Sequence, residues 1–351
     1  MSNTKTVGKI EKFDEFNGHQ IDKLTLSNAN NVSISVITLG STLYELNVPD
    51  QDGGSRNLIL NFKHSQDYFE NPFYISMGIG RTGGRIADGQ LVIDDQQTQL
   101  PQNEGTTTLH GGPHGFNTQI WQGELGKQDG NDVIIMHHLQ KSADDGFPGD
   151  MAVTITYTLS SDNVVSINFA AKSSAKTVFN PTQHTYFNLG KTSDIMNHQL
   201  KLNSTQALKL DDKKIPTEDR IDVEGTPYDF RQTKNLGQAI QAMSATKEKG
   251  FDDVFAVNPD ANNIIAELKD PETNCAVAIE SSRSGMILFT ANSFTHDHMN
   301  FVRTDGVGYP HEGVAMEPMI LPKPGQDRDF SEMTIPEDQT VAYSIKYHLS
   351  F

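Results

Sequence analysis

The chain has 351 residues, with 28 Lys and Arg against 45 Asp and Glu and a formal charge of −17. The acids are spread along it rather than gathered in a tail, which argues against nucleic acid as a partner. No apolar run approaches the roughly 18 residues of a membrane span. A single cysteine, Cys275, cannot form an internal disulfide, and residues 1–20 lack the apolar stretch of a secretory signal, so the cytoplasm is the expected compartment. No linker, low-complexity block or internal repeat divides the chain. Residues 1–351 are therefore expected to form one domain, although a prior of roughly 150 residues per domain would allow two.

Period-two alternation dominates from the amino terminus onward. VSISVITL (Val32 to Leu39) and LVID (Leu91 to Asp94) read as strands, followed by VIIMHHL (Val133 to Leu139). In MAVTITYTL, Val153, Ile155, Tyr157 and Leu159 share one face and Thr154, Thr156 and Thr158 the other, as in a half-buried strand. VVSINFAA (Val164 to Ala171) follows. Next comes NPTQHTYFNLG (Asn180 to Gly190), where Val178 and Phe179 lead in, Pro181 interrupts the ladder, and His184 sits where sheet gives way to loop. Only NLGQAIQAMSATKEKG looks helical, with Leu236, Ile240 and Met243 on one face and Gly250 as a stop signal. Cys275 lies in strand-like NCAVAIE, where a small buried thiol is expected. MILFTAN (Met286 to Asn292) and the alternating run from Val341 to Phe351 complete the series. Strands without intervening helices imply an all-β fold, a large antiparallel β-sandwich.

Several tracts carry side chains suited to chemistry. GIGRTGGRIADG (Gly78 to Gly89) presents Arg81 and Arg85 among glycines but lacks the Lys-Ser/Thr pair and helix of a phosphate loop. LHGGPHGF (Leu109 to Phe116) sets His110 beside two glycines, and GFDDVF holds Asp252 and Asp253 between aromatics. Taken singly these are weak signals, since an arginine near glycines is usually a surface residue and an Asp-Asp pair usually a solvated turn. Glu317 differs, because a carboxylate flanked by Ala315, Met316, Met319 and Ile320 is costly to bury unless paired or used. His296, His298 and His311, near Asp297 and Glu312, have some spacing of a metal site, but their polar flanks offer nothing rigid, and no metal is assigned.

Together with DGFPGD (Asp145 to Asp150), NHQLKLNS (Asn197 to Ser204), GTPYDFR (Gly225 to Arg231) and MEP, these tracts resemble the aldose 1-epimerases, or galactose mutarotases, in that family's order and through most of the chain. The resemblance implies a single β-supersandwich, no cofactor, and interconversion of the α and β anomers of a free aldose, galactose or glucose first. It implies that Glu317 is the catalytic base and His184 the catalytic acid, with Arg85, His110 and Asp252 binding the sugar. Gly84 stands where many members carry Asn, and Met319 where many carry Gln, which bears on the preferred sugar rather than the chemistry. The small-molecule sugar would be the only partner, in a monomer or homodimer.

Opening a cyclic hemiacetal takes a proton from the anomeric hydroxyl and gives one to the ring oxygen, so a base and an acid must reach one sugar. An ordinary Glu near pKa 4.3 and an ordinary His near 6.5 would leave a window with the base ionised and the acid protonated. Tyr186 or Phe116 could offer the sugar an apolar face, or serve equally as structural core. Other readings of the same residues are a glycoside hydrolase using Asp252 and Glu317, a non-catalytic sugar-binding sandwich, and an epimerase of a phosphorylated sugar held by Arg81 and Arg283.

Overall fold

The computed structural model describes residues 5–322 and 330–351. The alternation along the chain sorts its side chains as expected: in Met151–Leu159 every odd-numbered residue is buried, while Ala152 is exposed and Thr154, Thr156 and Thr158 are half-buried. This strand pairs along its length with Val164–Ser173, which pairs in turn with Thr340–Ser350. Thr340–Ser350 is bonded on its other side to Ala276–Glu280. These strands form the middle of an antiparallel nine-stranded sheet, extended by Asn131–Gln140 and Gln122–Gln128 on one side and by Ile264–Lys269, Gln199–Leu202 and Lys234–Asn235 on the other.

Facing it is a six-stranded sheet in the order Tyr186–Phe187, Val314–Met319, Gly285–Phe289, Asp252–Val257, Ser204–Leu210, Pro216–Asp222. Phe187, Val314, Met316, Met286, Leu288 and Phe255 from this sheet pack with Ile155, Tyr157, Ile167, Phe169, Ile345 and Tyr347 from the other in one apolar core. The stack is a β-sandwich, and each large core side chain trimmed to Ala is expected to cost about 2–5 kcal/mol. A five-stranded sheet, Val7 to Asn57, adds Leu24, Leu26, Ile34 and Leu46 to the same core. Its Ile21, Ile37 and Tyr44 join a second cluster with Phe62, Tyr186, Phe294 and Phe301.

The expected strands are present with ends moved by one or two residues in most cases; VSISVITL shortens to Ser33–Ile37 and MILFTAN to Gly285–Phe289. The helix is shorter than its pattern, running only over Leu236–Ala242 from an Asn235 cap whose side chain accepts the Gln238 N–H at 2.8 Å. Its apolar face is correctly placed, since Leu236, Ile240 and Met243 are buried. Beyond Met243 the chain prefers turns, closed by Thr246 donating its hydroxyl to the Met243 carbonyl at 2.7 Å. Cys275 is buried. No helix among the described residues is long and apolar enough to cross a membrane.

Candidate active site

Period two also decides which side chains of the six-stranded sheet leave the core. Across neighbouring strands, Glu317 pairs with Ile287 and Ile287 with Val254; one step along, Ala315 pairs with Phe289 and Phe289 with Asp252. Residues paired in this way project to the same face. With Val314, Met316 and Phe255 committed to the core, Glu317 and Asp252 must emerge on the opposite face. The same rule separates the neighbouring aspartates: Asp253 turns away with Phe255 and is met by the Tyr228 hydroxyl at 3.2 Å.

His184 lies between two short strands of its own tract. Thr182–Gln183 pairs with Gly78–Ile79, and Tyr186–Phe187 pairs with the Val314–Met319 strand. That second pairing brings His184 onto Glu317, with Nε2 3.2 Å from Oε1. Both side chains are nearly sealed, at 6% and 1% exposure.

Arg85 enters from the glycine tract and is held by Glu104, Nε to Oε2 at 2.5 Å and Nη2 to Oε1 at 2.8 Å. His110 follows Leu109, whose strand pairs back to Arg85. Gly111 allows this approach, because a Cβ there would lie 1.8 Å from the Gly80 carbonyl oxygen. The Gly84 N–H donates to His110 Nδ1 at 3.2 Å. The neutral ring therefore carries its proton on Nε2, a tautomer assigned from that bond.

All five expected site residues, Glu317, His184, Arg85, His110 and Asp252, line one cavity of about 260 Å³, together with Tyr74, Tyr186, Asn103, Glu104, Phe289 and Ser293. Glu104 and Tyr74 are additions to the expected set. Nothing in the sequence motifs marks them, although an arginine destined for a buried pocket requires a counter-charge such as Glu104. Tyr186 contributes a ring to the cavity, as expected. Phe116 does not: it is fully buried against Trp121, 5.6 Å between centroids, in the main core.

The electrostatics differ from the expectation of ordinary pKa values. Burial, reinforced by Asp252 and opposed by Arg85, pushes Glu317 up to about 8, and burial pushes His184 down to about 3. His110 is driven well below its ordinary value by burial, then by His184 and Arg85. Arg85 loses from burial, but Glu104, Asp252 and Glu317 more than offset this and hold it above its ordinary value. Burial thus favours the neutral form of each group, a protonated Glu317 and an unprotonated His184.

The ligand atoms of His110, His184 and Glu317 lie within 4.8 Å of one another, a set that could hold a metal ion. The tautomer opposes it. A metal on His110 Nε2 would place the ring proton on Nδ1, pointing at the Gly84 N–H, donor against donor. His296, His298 and His311 stand apart: His296 packs on Tyr309, His298 is exposed near Glu70, and His311 Nδ1 bonds the Thr290 carbonyl.

The two arginines considered for a phosphate are not in the cavity. Arg81 is fully buried and paired with Asp145, Nε to Oδ2 at 2.7 Å and Nη2 to Oδ1 at 3.1 Å. Arg283 is buried over the Tyr343 ring, donating to the Pro181 carbonyl. Gly84 and Met319 turn out to be neighbours, since a Cβ at Gly84 would sit 3.1 Å from the Met319 methyl carbon.

The structure is thus a β-sandwich with a cleft on one sheet, floored by a buried His and Glu and rimmed by hydrogen-bonding groups. The family model for aldose 1-epimerase matches residues 22–348, and the chain belongs to that family. It is 36% identical to a maltose epimerase of Levilactobacillus brevis, over 94% of this chain and 95% of the relative. It is 35% identical to an aldose 1-epimerase of Streptococcus thermophilus, over 97% of this chain and 96% of the relative. A crystal structure of galactose 1-epimerase from Lactobacillus acidophilus superposes with a TM-score of 0.84 at 24% identity, covering 99% of both chains, a likeness of fold. The protein is an isomerase that interconverts the anomers of aldoses.

Proposed function

We propose that Glu317 and His184 open and reclose the ring of a free aldohexose, glucose or galactose, while Arg85, His110 and Asp252 hold its hydroxyls. The observation that carries this reading is the 3.2 Å contact between His184 Nε2 and Glu317 Oε1 on the cavity floor. Glu317 takes the proton of the anomeric hydroxyl and His184 gives one to the ring oxygen. The bond from C1 to the ring oxygen breaks, C1 becomes a carbonyl carbon, the C1–C2 bond rotates, and closure reverses both transfers. The working form, carboxylate with imidazolium, has the same proton count as the resting neutral pair. It is reached by moving one proton from Glu317 to His184 over their 3.2 Å separation, favoured when a sugar brings polar groups into the site.

The cavity continues outward past Arg85, Glu104, Glu248 and Asp252 into a wider mouth of about 540 Å³ that includes Thr106, Lys213 and Lys247. A substituent on the sugar away from C1 has room there, and similarity to a maltose epimerase makes a reducing disaccharide part of the proposed range. Lys213, Lys214 and Lys247 are balanced in the mouth by Asp212, Glu248 and Asp252, which favours neutral sugars over phosphorylated ones. The same reading takes residues 1–351 as one catalytic unit, supported by an apolar core drawing on residues from Leu24 to Leu349. A cytoplasmic location is supported by the lone, unpaired Cys275.

The test is polarimetry of freshly dissolved α-D-glucose, α-D-galactose and maltose with and without the protein. Faster decay of rotation is expected for at least one of the hexoses. Buffer rates for all three sugars would refute the assignment of these substrates.

A further inference from the structure

We infer that Tyr74 is a positioning residue that fixes the His184 imidazole for proton transfer. The His184 ring lies between two tyrosines: Tyr186 stacks on it at 5.0 Å and 23°, and Tyr74 at 5.9 Å and 27°. The Tyr74 ring also meets His110 edge-on at 4.9 Å, so one side chain touches both histidines. The backbone beside Tyr74 grips the same residue. Ser76 N–H donates to the His184 carbonyl at 3.0 Å, His184 N–H donates to the Met77 carbonyl at 3.0 Å, and Met77 N–H closes a turn onto the Tyr74 carbonyl at 3.1 Å.

Tyr74 holds this place in a left-handed conformation, φ 51°, and Ser76 repeats it at 52°. A bulky aromatic there is strained, and such strain persists where surrounding bonds over-determine it, commonly at sites of function. Tyr186 is fully buried, its hydroxyl bonded to the Phe73 carbonyl at 2.9 Å. Tyr74 is only half-buried and lines the cavity. Both rings line the cavity, and Tyr74 is the less buried of the two. Its ring keeps the imidazole dry and in plane, while its hydroxyl has only a long 3.4 Å contact from Asn103 Nδ2. The ring, rather than the hydroxyl, is the working part.

This inference rests on His184 being the acid, and His184→Asn is measured alongside Tyr74→Phe and Tyr74→Ala, with kcat, KM, the pH profile and a thermal melt for each. Phe is expected to keep kcat within about threefold, and Ala to lose about 10- to 100-fold in kcat with KM little changed, the penalty of a misplaced reacting group. Ala should also move the acid limb of the profile to higher pH, because water then reaches the imidazole. A melt lowered equally in both variants does not produce that split. Wild-type kcat in Tyr74→Ala, equal impairment in Phe and Ala, or a change in KM alone would each overturn the inference. Full activity in His184→Asn would instead overturn the role of His184 itself.

Discussion

His184 Nε2 and Glu317 Oε1 are 3.2 Å apart on the floor of a sugar-sized cavity, and burial drives each towards its neutral form. A base kept protonated and an acid kept unprotonated would be a poor pair if they acted separately. On the proposed reading, a proton passing from Glu317 to His184 over the 3.2 Å gap gives both their working charges.

Removing either partner should therefore be severe. Glu317→Gln and His184→Asn are each expected to lower kcat by about 10²- to 10⁴-fold, and the double variant to be little worse than the worse single one, because the two act as a unit. Polarimetry supplies the rates and circular dichroism the check on folding. Multiplicative losses would show two independent groups.

The pH profile separates the shared-proton account from ordinary acid and base pKa values. The pair gains a second proton only near His184's value of about 3 and loses its last near Glu317's value of about 8. The ratio kcat/KM for glucose should be level through neutral pH and fall above about pH 8. A limb near 6.5, the ordinary value for histidine, would contradict it.

The same burial governs stability. Glu317 has a folded pKa raised above its unfolded one, so its contribution is complete below about 4.5 and is lost as pH rises through about 8. Glu317→Gln should gain on wild type between about pH 5 and about pH 9, by an amount on the order of 5 kcal/mol at most. His184 has the opposite shift, and its contribution is lost as pH falls below about 6.5 towards 3. Urea melts at several pH values measure both, and a gain for Glu317→Gln that is flat across pH would mean the carboxyl is hydrated in the folded protein.

Away from the cavity, Arg81 and Asp145 tie the glycine tract to the DGFPGD tract through a fully buried bidentate pair. Asp145→Ala leaves a guanidinium without its counter-charge and should cost about 3–5 kcal/mol. Replacing both by apolar residues of similar volume should cost clearly less. Equal costs in chemical denaturation would argue that packing, not charge, is what the pair supplies.

Arg85 is predicted to act mainly in binding. Lys at that position cannot reproduce the two-pronged grip on Glu104, at 2.5 and 2.8 Å, so the positive charge would wander. Arg85→Lys should raise KM for glucose about tenfold with a smaller change in kcat, the signature of lost uniform binding. A fall in kcat with KM unchanged would move Arg85 into the chemical step.

Much of this was legible in the residues themselves. Strands with a buried face, such as Met151–Leu159, announce themselves by alternation, and Glu317 stands out because its neighbours are apolar. Val7–Phe16 was not expected because no clean buried face marks it, its side chains being exposed or half-buried throughout; Asn17-Gly18 was the available signal for the hairpin it forms with His19–Ser27. The helix ended early because turn-forming hydroxyls compete with helical bonds after Met243. The proton count of the His184 and Glu317 pair depends on burial by segments far away in the chain, which no local pattern records. Tyr74 was invisible for a related reason, since it belongs to a turn whose Ser76 and Met77 bond the backbone of distant residue 184.

Thr340–Ser350 lies between Val164–Ser173 and Ala276–Glu280. The halves of the nine-stranded sheet thus meet through a strand that leaves the ribosome after both of them. Until it arrives, each half presents an unpaired edge of the kind that recruits foreign strands. Glu317 sits on the sheet stacked against that seam, so a nascent chain that stops short of residue 340 already carries every residue that lines the cavity but lacks the strand that braces them. Activity should therefore appear late and all at once during synthesis, and chaperone protection matters most in the interval just before it.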